Sequence, residues 1–124
     1  MKFINTTDAP APIGAYAQAT AYNGVIYVSG QLPIDSKGEM AKDVRTQTKQ
    51  SLNNILAILQ SQGSKKENIL KVQVFTTDLN SFTEINEEYQ SFFGKHTPAR
   101  AVVEVSALPK GAMVEIDTIA IAGE

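Results

Sequence analysis

The sequence predicts an α+β domain in which two helices pack on one face of a β-sheet. Three observations support this prediction: an Asn-Gly dipeptide between two strand-like runs, two amphipathic helical stretches, and two alternating apolar runs near the C-terminus. The chain has 124 residues, enough for one hydrophobic core and too few for two. We therefore expect one domain spanning residues 1–124.

The N-terminal part of the chain is expected to contribute three strands. The first is a short strand over Lys2 to Asn5, followed by an extended loop of proline and small residues over 9–14. Tyr16 to Tyr22 and Val25 to Gln31 then flank Asn23-Gly24. This dipeptide is preferred in type I′ hairpin turns, because both central residues of such a turn need a positive φ. The second and third strands should therefore form a hairpin.

The middle of the chain predicts a helix, a strand and a second helix. From Asp43 to Gln62 the apolar residues recur at helical spacing, and Gly63 follows as a stop. Ile69 to Thr77 has the β-branched and aromatic content of a strand. Ser81-Phe-Thr-Glu84 has the pattern of a capping box that opens the second helix. The predicted buried stripe of that helix consists of Phe82, Ile85, Tyr89, Phe92 and Phe93.

Two strands close the chain, and both contain charged residues. Arg100 to Ala107 and Met113 to Ile121 are joined by the turn Leu108-Pro-Lys-Gly111, which completes the predicted order β-β-β-α-β-α-β-β. In the last strand the residues Val114, Ile116 and Ala120 face one side of the sheet. The other side carries Met113, Glu115, Asp117, Ile119 and Ile121.

The second face of the predicted sheet is too apolar to face water. Two helices can cover only one side of the sheet, so this face needs another partner. Its few charged residues are typical of a polar site enclosed by an interface. The pattern therefore predicts an obligate homo-oligomer with a site between subunits.

Arg100 and Glu115 are the residues best suited to chemistry. The guanidinium of Arg100, at the start of its strand, can hold a carboxylate or phosphate in a bidentate pair. Alternatively, Arg100 pairs only with Glu104 or with a neighbour across an interface. In a dry interface burial would raise the pKa of Glu115 and Arg100 would lower it, which suits a proton shuttle. Alternatively, Glu115 faces solvent at a sheet edge.

Several functional classes lack support in the sequence. The absence of cysteine excludes disulfides and thiolate sites, and one histidine, His96, offers neither a triad nor a metal cluster. No phosphate-binding glycine motif occurs, so no nucleotide cofactor is expected. A net charge of -2 predicts no nucleic-acid or membrane partner. The N-terminal apolar stretch stops after Ile4, which leads us to expect a cytoplasmic protein.

Taken together, these segments resemble a known family. Pro98-Ala-Arg100 before a strand, followed by LPKGAMVEI over 108–116, closely resembles the signature of the Rid family, also called YjgF or translation-inhibitor-like. VSGQLP over 28–33 and the closing VEIDTIAIA are similar to the family in order and spacing. The resemblance covers essentially the whole chain. It implies a chorismate-mutase-like fold with a mixed sheet, two helices on one face, and a homotrimer.

The resemblance also implies an activity and a site. The RidA branch hydrolyses reactive 2-imino acids, such as 2-iminobutanoate and 2-iminopropanoate, to 2-keto acids and ammonia without metal or cofactor. By resemblance, Arg100 grips the substrate carboxylate, and Glu115 positions or activates water and shuttles protons. The other residues that the resemblance places at this pocket are Tyr16, Ser29, Gly30, Gln31, Asn86 and, through its backbone, Val102.

Two departures from the family pattern leave alternatives open. Val102 stands where many members have cysteine, and Gly14-Ala15-Tyr16 replaces the common Gly-Pro-Tyr. One alternative is a non-catalytic regulator that binds keto acids in the same pocket. A second is the endoribonuclease or translation-inhibitor activity attributed to some members, against which the acidic pI of about 5.4 argues.

Overall fold

The computed structural model describes residues 1–123 and contains one six-stranded sheet with two α-helices. The strands are β1 (Lys2–Ile4), β2 (Ala19–Tyr22), β3 (Val25–Gln31), β4 (Ile69–Thr76), β5 (Ala99–Glu104) and β6 (Val114–Ile121). The helices are α1 (Val44–Gln60) and α2 (Phe82–Phe93). The predicted α+β class and order of the elements are confirmed.

The predicted hairpin at Asn23-Gly24 is present. Tyr22 pairs with Val25 across the antiparallel strands β2 and β3, which leaves a two-residue turn. Asn23 has φ 51° and Gly24 has φ 78°, as the positive-φ requirement of a type I′ turn demands. This turn fixes the register of the two strands, and β1 pairs along the outer side of β2.

The sheet is mixed, with the order β1-β2-β3-β6-β4-β5. The last strand, β6, inserts between β3 and β4 and is antiparallel to both. The outer strand β5 is parallel to β4. The two C-terminal strands are therefore consecutive in sequence but separated in the sheet by β4. β5 also ends at Glu104, three residues before the predicted end at Ala107.

Helix α1 begins and ends close to the predicted positions. The Asp43 carboxylate caps it by accepting a hydrogen bond from the backbone N–H of Thr46 at 2.9 Å. That hydrogen bond lowers the pKa of Asp43. After the helix, Gly63 adopts φ 69°, a conformation that favours glycine. The helix packs Leu52 and Ile55 into the core.

Helix α2 differs from the prediction in two respects. The capping box is wrong, because Ser81 makes no side-chain cap hydrogen bond. The preceding turn is held instead by Asp78, whose side chain accepts from the backbone N–H of Asn80 at 2.9 Å. The predicted buried stripe of α2 also includes one residue that is not buried. Ile85, Tyr89 and Phe93 are buried and Phe92 is partly buried, but Phe82 is 38% exposed.

The two faces of the sheet have different surroundings. On the core face, Val72, Val74 and Ile116 are buried together with residues of both helices. The opposite face, called here the open face, carries Glu115, Asp117 and Ile119 of β6 with their neighbours on β3, β4 and β5. Its apolar residues Tyr27, Val103 and Ile121 are 49%, 43% and 46% exposed. The single chain therefore has the uncovered apolar face that the sequence predicted.

Candidate active site

A large cavity lies where the N-terminal loop passes the ends of β3 and β6. Its volume is about 820 Å³, and we call it the carboxylate cavity because Glu115 contributes to its wall. Five residues predicted for the site line it: Tyr16, Ser29, Gly30, Gln31 and Glu115. Much of the remaining wall is apolar, formed by Pro10, Pro12, Ile13, Leu32, Ile34 and Pro109. A cavity of this kind suits a small organic ligand with one polar end.

An irregularity in β3 brings Gly30 to the Glu115 carboxyl group. Val28 pairs with Thr118 and Gln31 with Ile116, so β3 has one residue more than β6 over this step. Ser29 anchors the irregularity, because its hydroxyl donates to the carbonyl of Ala17 at 2.7 Å. The α-carbon of Gly30 then comes so close that a Cβ added at this residue would lie 3.0 Å from the Glu115 carboxyl carbon. The sequence Ser29-Gly30 therefore shapes the wall around the carboxylate.

Gln18 is a structural residue of the site that the sequence analysis missed. Its side chain is buried, and its Nε2 donates to the carbonyls of Thr6 at 3.0 Å and Pro10 at 2.9 Å. Its Oε1 accepts from the backbone N–H of Thr6 at 2.6 Å. These bonds hold the N-terminal loop against the sheet and so form one wall of the cavity. An isolated glutamine before a strand gives no sequence signal for this role.

Glu115 has a raised proton affinity. It is partly buried on the open face, and this burial raises the pKa of its carboxyl group, with a further increase from the nearby charge of Asp117. Burial also raises the pKa of Asp117, while Lys71 acts in the opposite direction. The predicted increase in the pKa of Glu115 by burial is therefore present. The predicted decrease caused by Arg100 is absent from this chain, because the causes of the shift are burial and Asp117.

Replacing Gly30 by alanine is expected to lower activity without unfolding the chain. The backbone of Gly30 does not require glycine, but the added methyl would press on the Glu115 carboxyl carbon and Oε2 at 3.0 Å. The resemblance predicts that Glu115 exchanges protons in the reaction. On that prediction, moving this flexible carboxyl group by a fraction of an ångström should reduce kcat about tenfold, because small misplacements of catalytic groups are costly. Steady-state kinetics and a thermal melt of Gly30→Ala measure the two effects. Full activity in this variant would contradict the placement of Glu115 in the reaction.

Arg100 lies at a second position, called here the arginine edge, where β5 meets helix α2. Its Nη1 donates to Oδ1 of Asn86 at 2.8 Å. Its guanidinium carbon lies 4.7 Å from the ring centre of Tyr89 and 5.7 Å from that of Phe82. This stacking on aromatic rings explains why Phe82 stays near the surface. The side chain is thus held by one hydrogen bond and two rings, which leaves guanidinium N–H groups available for a ligand.

The alternative pairing of Arg100 with Glu104 does not occur within the chain. Glu104 accepts a hydrogen bond from the backbone N–H of Leu79 at 2.9 Å. Within residues 1–123, the only arginine–carboxylate bridges join Arg45 to Glu87 and Glu88.

Val102, two residues after Arg100, pairs with Val74 and packs its side chain against the core. The Val102 side chain therefore contributes to core packing.

His96 is absent from the lining of the carboxylate cavity. The Nε2 of His96 lies 2.8 Å from the carbonyl oxygen of Ile69, and its ring packs on Phe93. Over residues 1–123, no group of three histidine, aspartate or glutamate side chains is arranged to hold a metal ion.

In the same range, neither helix is long and apolar enough to cross a membrane.

Comparison with known proteins identifies the family. The profile described as Endoribonuclease L-PSP matches residues 6–122. The chain belongs to the endoribonuclease L-PSP family. A RutC family protein of Pyrococcus horikoshii is 46% identical to it over 119 residues, covering 94% of each chain. The 2-iminobutanoate/2-iminopropanoate deaminase of Salmonella typhimurium is 44% identical over 124 residues, covering 97% of each. The resemblance seen in the sequence is thus confirmed.

The solved structures of this L-PSP family include close matches in three dimensions. The crystal structure of Escherichia coli TdcF with bound serine is similar with a TM-score of 0.95 and 40% identity. The match covers 99% of this chain and 100% of that chain. The fold of this chain, including the mixed sheet and both helices, is therefore that of the family.

In this L-PSP family chain, the predicted site residues fall into two groups, and Arg100 of one group and Glu115 of the other lie on opposite faces of the sheet. Arg100 pairs with Val72, and the next residue across the sheet is Thr118, so Arg100 belongs to the core-face row. Glu115 pairs with Phe75 and belongs to the open face. The carboxylate cavity contains Tyr16, Ser29, Gly30, Gln31 and Glu115, whereas Arg100, Asn86 and Val102 lie at the arginine edge. One chain does not bring the two groups together.

Proposed function

We propose that the protein hydrolyses 2-imino acids, including 2-iminobutanoate and 2-iminopropanoate, to 2-keto acids and ammonia at a site formed by two copies of the chain. The observation that carries this proposal is the position of Arg100 and Glu115 on opposite faces of one sheet. A carboxylate anchor and a proton-exchanging carboxyl group are both present, but they can serve one substrate only across an interface.

The arginine edge supplies the anchor for the substrate carboxylate. Guanidinium and carboxylate match as a bidentate pair, and the Asn86 amide and the Tyr89 ring fix the orientation of Arg100 before substrate binds. A preoriented cation loses little freedom on binding. The backbone of Val102 is close to this position along β5 and is proposed to contact the substrate or the attacking water.

Glu115 supplies the proton chemistry in the carboxylate cavity. A protonated imine carbon is already electrophilic, so the reaction needs a positioned water and a path for protons. Glu115 accepts a proton from water as the new C–O bond forms and returns it to the nitrogen of the resulting carbinolamine. When the C–N bond breaks, the hydroxyl oxygen forms the keto C=O bond and its proton passes to the departing ammonia, so water and the protonated imine yield a keto acid and an ammonium ion. The raised pKa of Glu115 brings this carboxyl group nearer to the pH at which both steps are efficient.

We further propose that the assembly is a homotrimer in which the open faces meet. Exposed apolar residues on this face favour association, and a repeated head-to-tail interface closes into a ring. Each interface would place the arginine edge of one copy against the carboxylate cavity of its neighbour. The deaminase name of the Salmonella relative and the serine bound to TdcF support a small amino-acid-like ligand.

Semicarbazide trapping tests the proposed reaction directly. The 2-imino acid is generated in situ by an amino-acid oxidase and is captured by semicarbazide unless it is hydrolysed first. We expect the wild-type protein to suppress trapping and to release 2-keto acid and ammonia in equal amounts. Unchanged trapping together with measurable 2-ketobutyrate binding would instead indicate a non-catalytic binding protein.

The name of the family profile makes RNA cleavage the second function to test. The net charge of -2 gives no basic stripe for RNA, so we expect no cleavage of a labelled single-stranded RNA by the purified protein. Cleavage that is lost in Glu115→Gln and Arg100→Ala would place a ribonuclease activity in this site and would overturn the deaminase proposal if trapping is unchanged.

A further inference from the structure

A second carboxylate accompanies Glu115 on the open face. Asp117 follows it by two residues on β6, so both side chains project from the same side of the sheet at a spacing of roughly 7 Å along the strand. Asp117 is directly opposite Gln73 on β4. With its amide nitrogen turned toward the carboxylate, Gln73 donates to both oxygens of Asp117, at 3.2 and 3.3 Å. Asp117 is therefore held in place beside the carboxylate cavity.

Neither carboxylate of this pair belongs to the hydrophobic core of the single chain. Asp117 is on the open face, away from the buried residues Ile116 and Thr118 that flank it in sequence. An apolar residue there would suit an interface better, because burying a second carboxylate is unfavourable. Burial raises the pKa of Asp117, whereas the nearby Lys71 lowers it. Hydrogen bonds donated by Gln73 also favour the ionised carboxylate, and whenever Asp117 is ionised its negative charge lies near Glu115.

Several other titratable groups lie around Glu115, but none of them has the same position as Asp117. From β4, Lys71 faces the open side near Asp117, and in the cavity wall lie Tyr16, Asp35 and Lys110. From β3, the adjacent residues 29–31 are not titratable, and Val103 lies in the same row on β5. In the proposed assembly, Arg100 of a second copy would also act on Glu115. Of these groups, Asp117 alone shares the strand and the face of Glu115.

We propose that Asp117 is a positioning residue whose negative charge, on the same strand and face, helps the Glu115 carboxyl group to take up and return the proton of the reaction. The inference rests on the proposed role of Glu115 and adds a residue that does not touch the substrate. The sign follows from electrostatics: an ionised Asp117 opposes ionisation of Glu115, so it raises the pKa of Glu115. Closing the interface removes water and strengthens this repulsion.

The test is the pH dependence of kcat/KM for Asp117→Asn. Asparagine keeps the shape and can still bond the Gln73 amide, but it removes the charge. The pKa of Glu115 should then fall, and the acid limb of the profile should move to lower pH. At a pH where wild type retains about a tenth of its maximum, the variant should retain roughly three times as large a fraction. Asp117→Glu, which restores a carboxylate, should move the limb back.

Asp8→Asn is the matched control. It makes the same change in net charge at an exposed residue, and it should leave the profile unchanged. A profile of Asp117→Asn that coincides with that of wild type would overturn the inference. A variant that lost activity at every pH without a displaced limb would also overturn it, because a structural role alone would produce that result.

A second readout separates this inference from the proposed function. Carbon-13 NMR of protein labelled at the glutamate carboxyl groups follows the titration of Glu115, whose signal is assigned by its disappearance in Glu115→Gln. We expect this signal to titrate at lower pH in Asp117→Asn than in wild type. The shift can be measured even if the protein has no deaminase activity. An unchanged titration of Glu115 would contradict the coupling itself.

Discussion

Arg100→Ala is expected to lower kcat/KM for 2-imino acids by roughly 100-fold or more, because it removes the proposed anchor for the substrate carboxylate. The guanidinium is exposed, and among residues 1–123 it makes one hydrogen bond, to Asn86, besides its contacts with two aromatic rings, so the variant should fold and assemble normally. Semicarbazide trapping measures the loss of activity, and 2-ketobutyrate binding should weaken in parallel.

Arg45→Ala is the matched control for this experiment. Arg45 is also an exposed arginine, but it pairs with Glu87 and Glu88 on the surface between α1 and α2. Such surface pairs contribute little to stability. We therefore expect nearly wild-type trapping from Arg45→Ala. Undiminished activity in Arg100→Ala would remove the arginine from the mechanism.

Val103→Asp is expected to dissociate the assembly and abolish activity. Val103 is 43% exposed on the open face in the single chain, so a carboxylate there costs the monomer little. In the proposed interface the same carboxylate would be buried without a partner, at a cost of several kcal/mol per subunit. Sedimentation and size-exclusion chromatography should show a monomer for Val103→Asp and the proposed trimer for the wild-type protein.

Val103→Thr controls for the change of shape at this position. Threonine has nearly the size of valine and suits a strand, so the assembly should persist with at most a modest loss of stability. Circular dichroism should show the same secondary structure in both variants. If Val103→Asp remained a trimer, the open face would not be the interface.

Local patterns predicted most of the elements, because short-range physics determines them. The Asn23-Gly24 turn needs positive φ at both positions, and the helix that begins after Asp43 has both an apolar stripe and a cap. The alternation in β6 correctly placed Glu115 and Asp117 on the uncovered face. Each of these signals lies within a few residues of the feature that it predicts.

The order of the strands and the contacts between distant segments were harder to predict from the sequence. Nothing in the sequence near β6 shows that it inserts between β3 and β4, because strand order depends on contacts between distant segments. The capping box predicted at Ser81 does not form, and Asp78 caps the turn before the helix instead. Phe82 was predicted to be buried in the core, but its ring packs against Arg100, a residue far from it in sequence.

Arg100 and Glu115 were predicted from the strand pattern and the other site residues by resemblance, and the structure adds their division into two groups. Tyr16 and Glu115 line one cavity, whereas Arg100 and Asn86 lie together at the edge of the sheet. Gln18 escaped the sequence analysis because its role depends on hydrogen bonds to a loop that precedes it by eight to twelve residues. This division is the reason why a complete site requires two copies of the chain.

Subunit mixing tests directly whether Arg100 of one copy and Glu115 of another form one site. Arg100→Ala and Glu115→Gln are each expected to be nearly inactive as pure assemblies. Unfolding and refolding them together in equal amounts should produce mixed assemblies in which some interfaces combine an intact Arg100 from one copy with an intact Glu115 from another. Random mixing in a closed ring predicts recovery of about a quarter of wild-type activity. If the mixture of folded, assembled variants stayed as inactive as its components, the site would not be shared between copies.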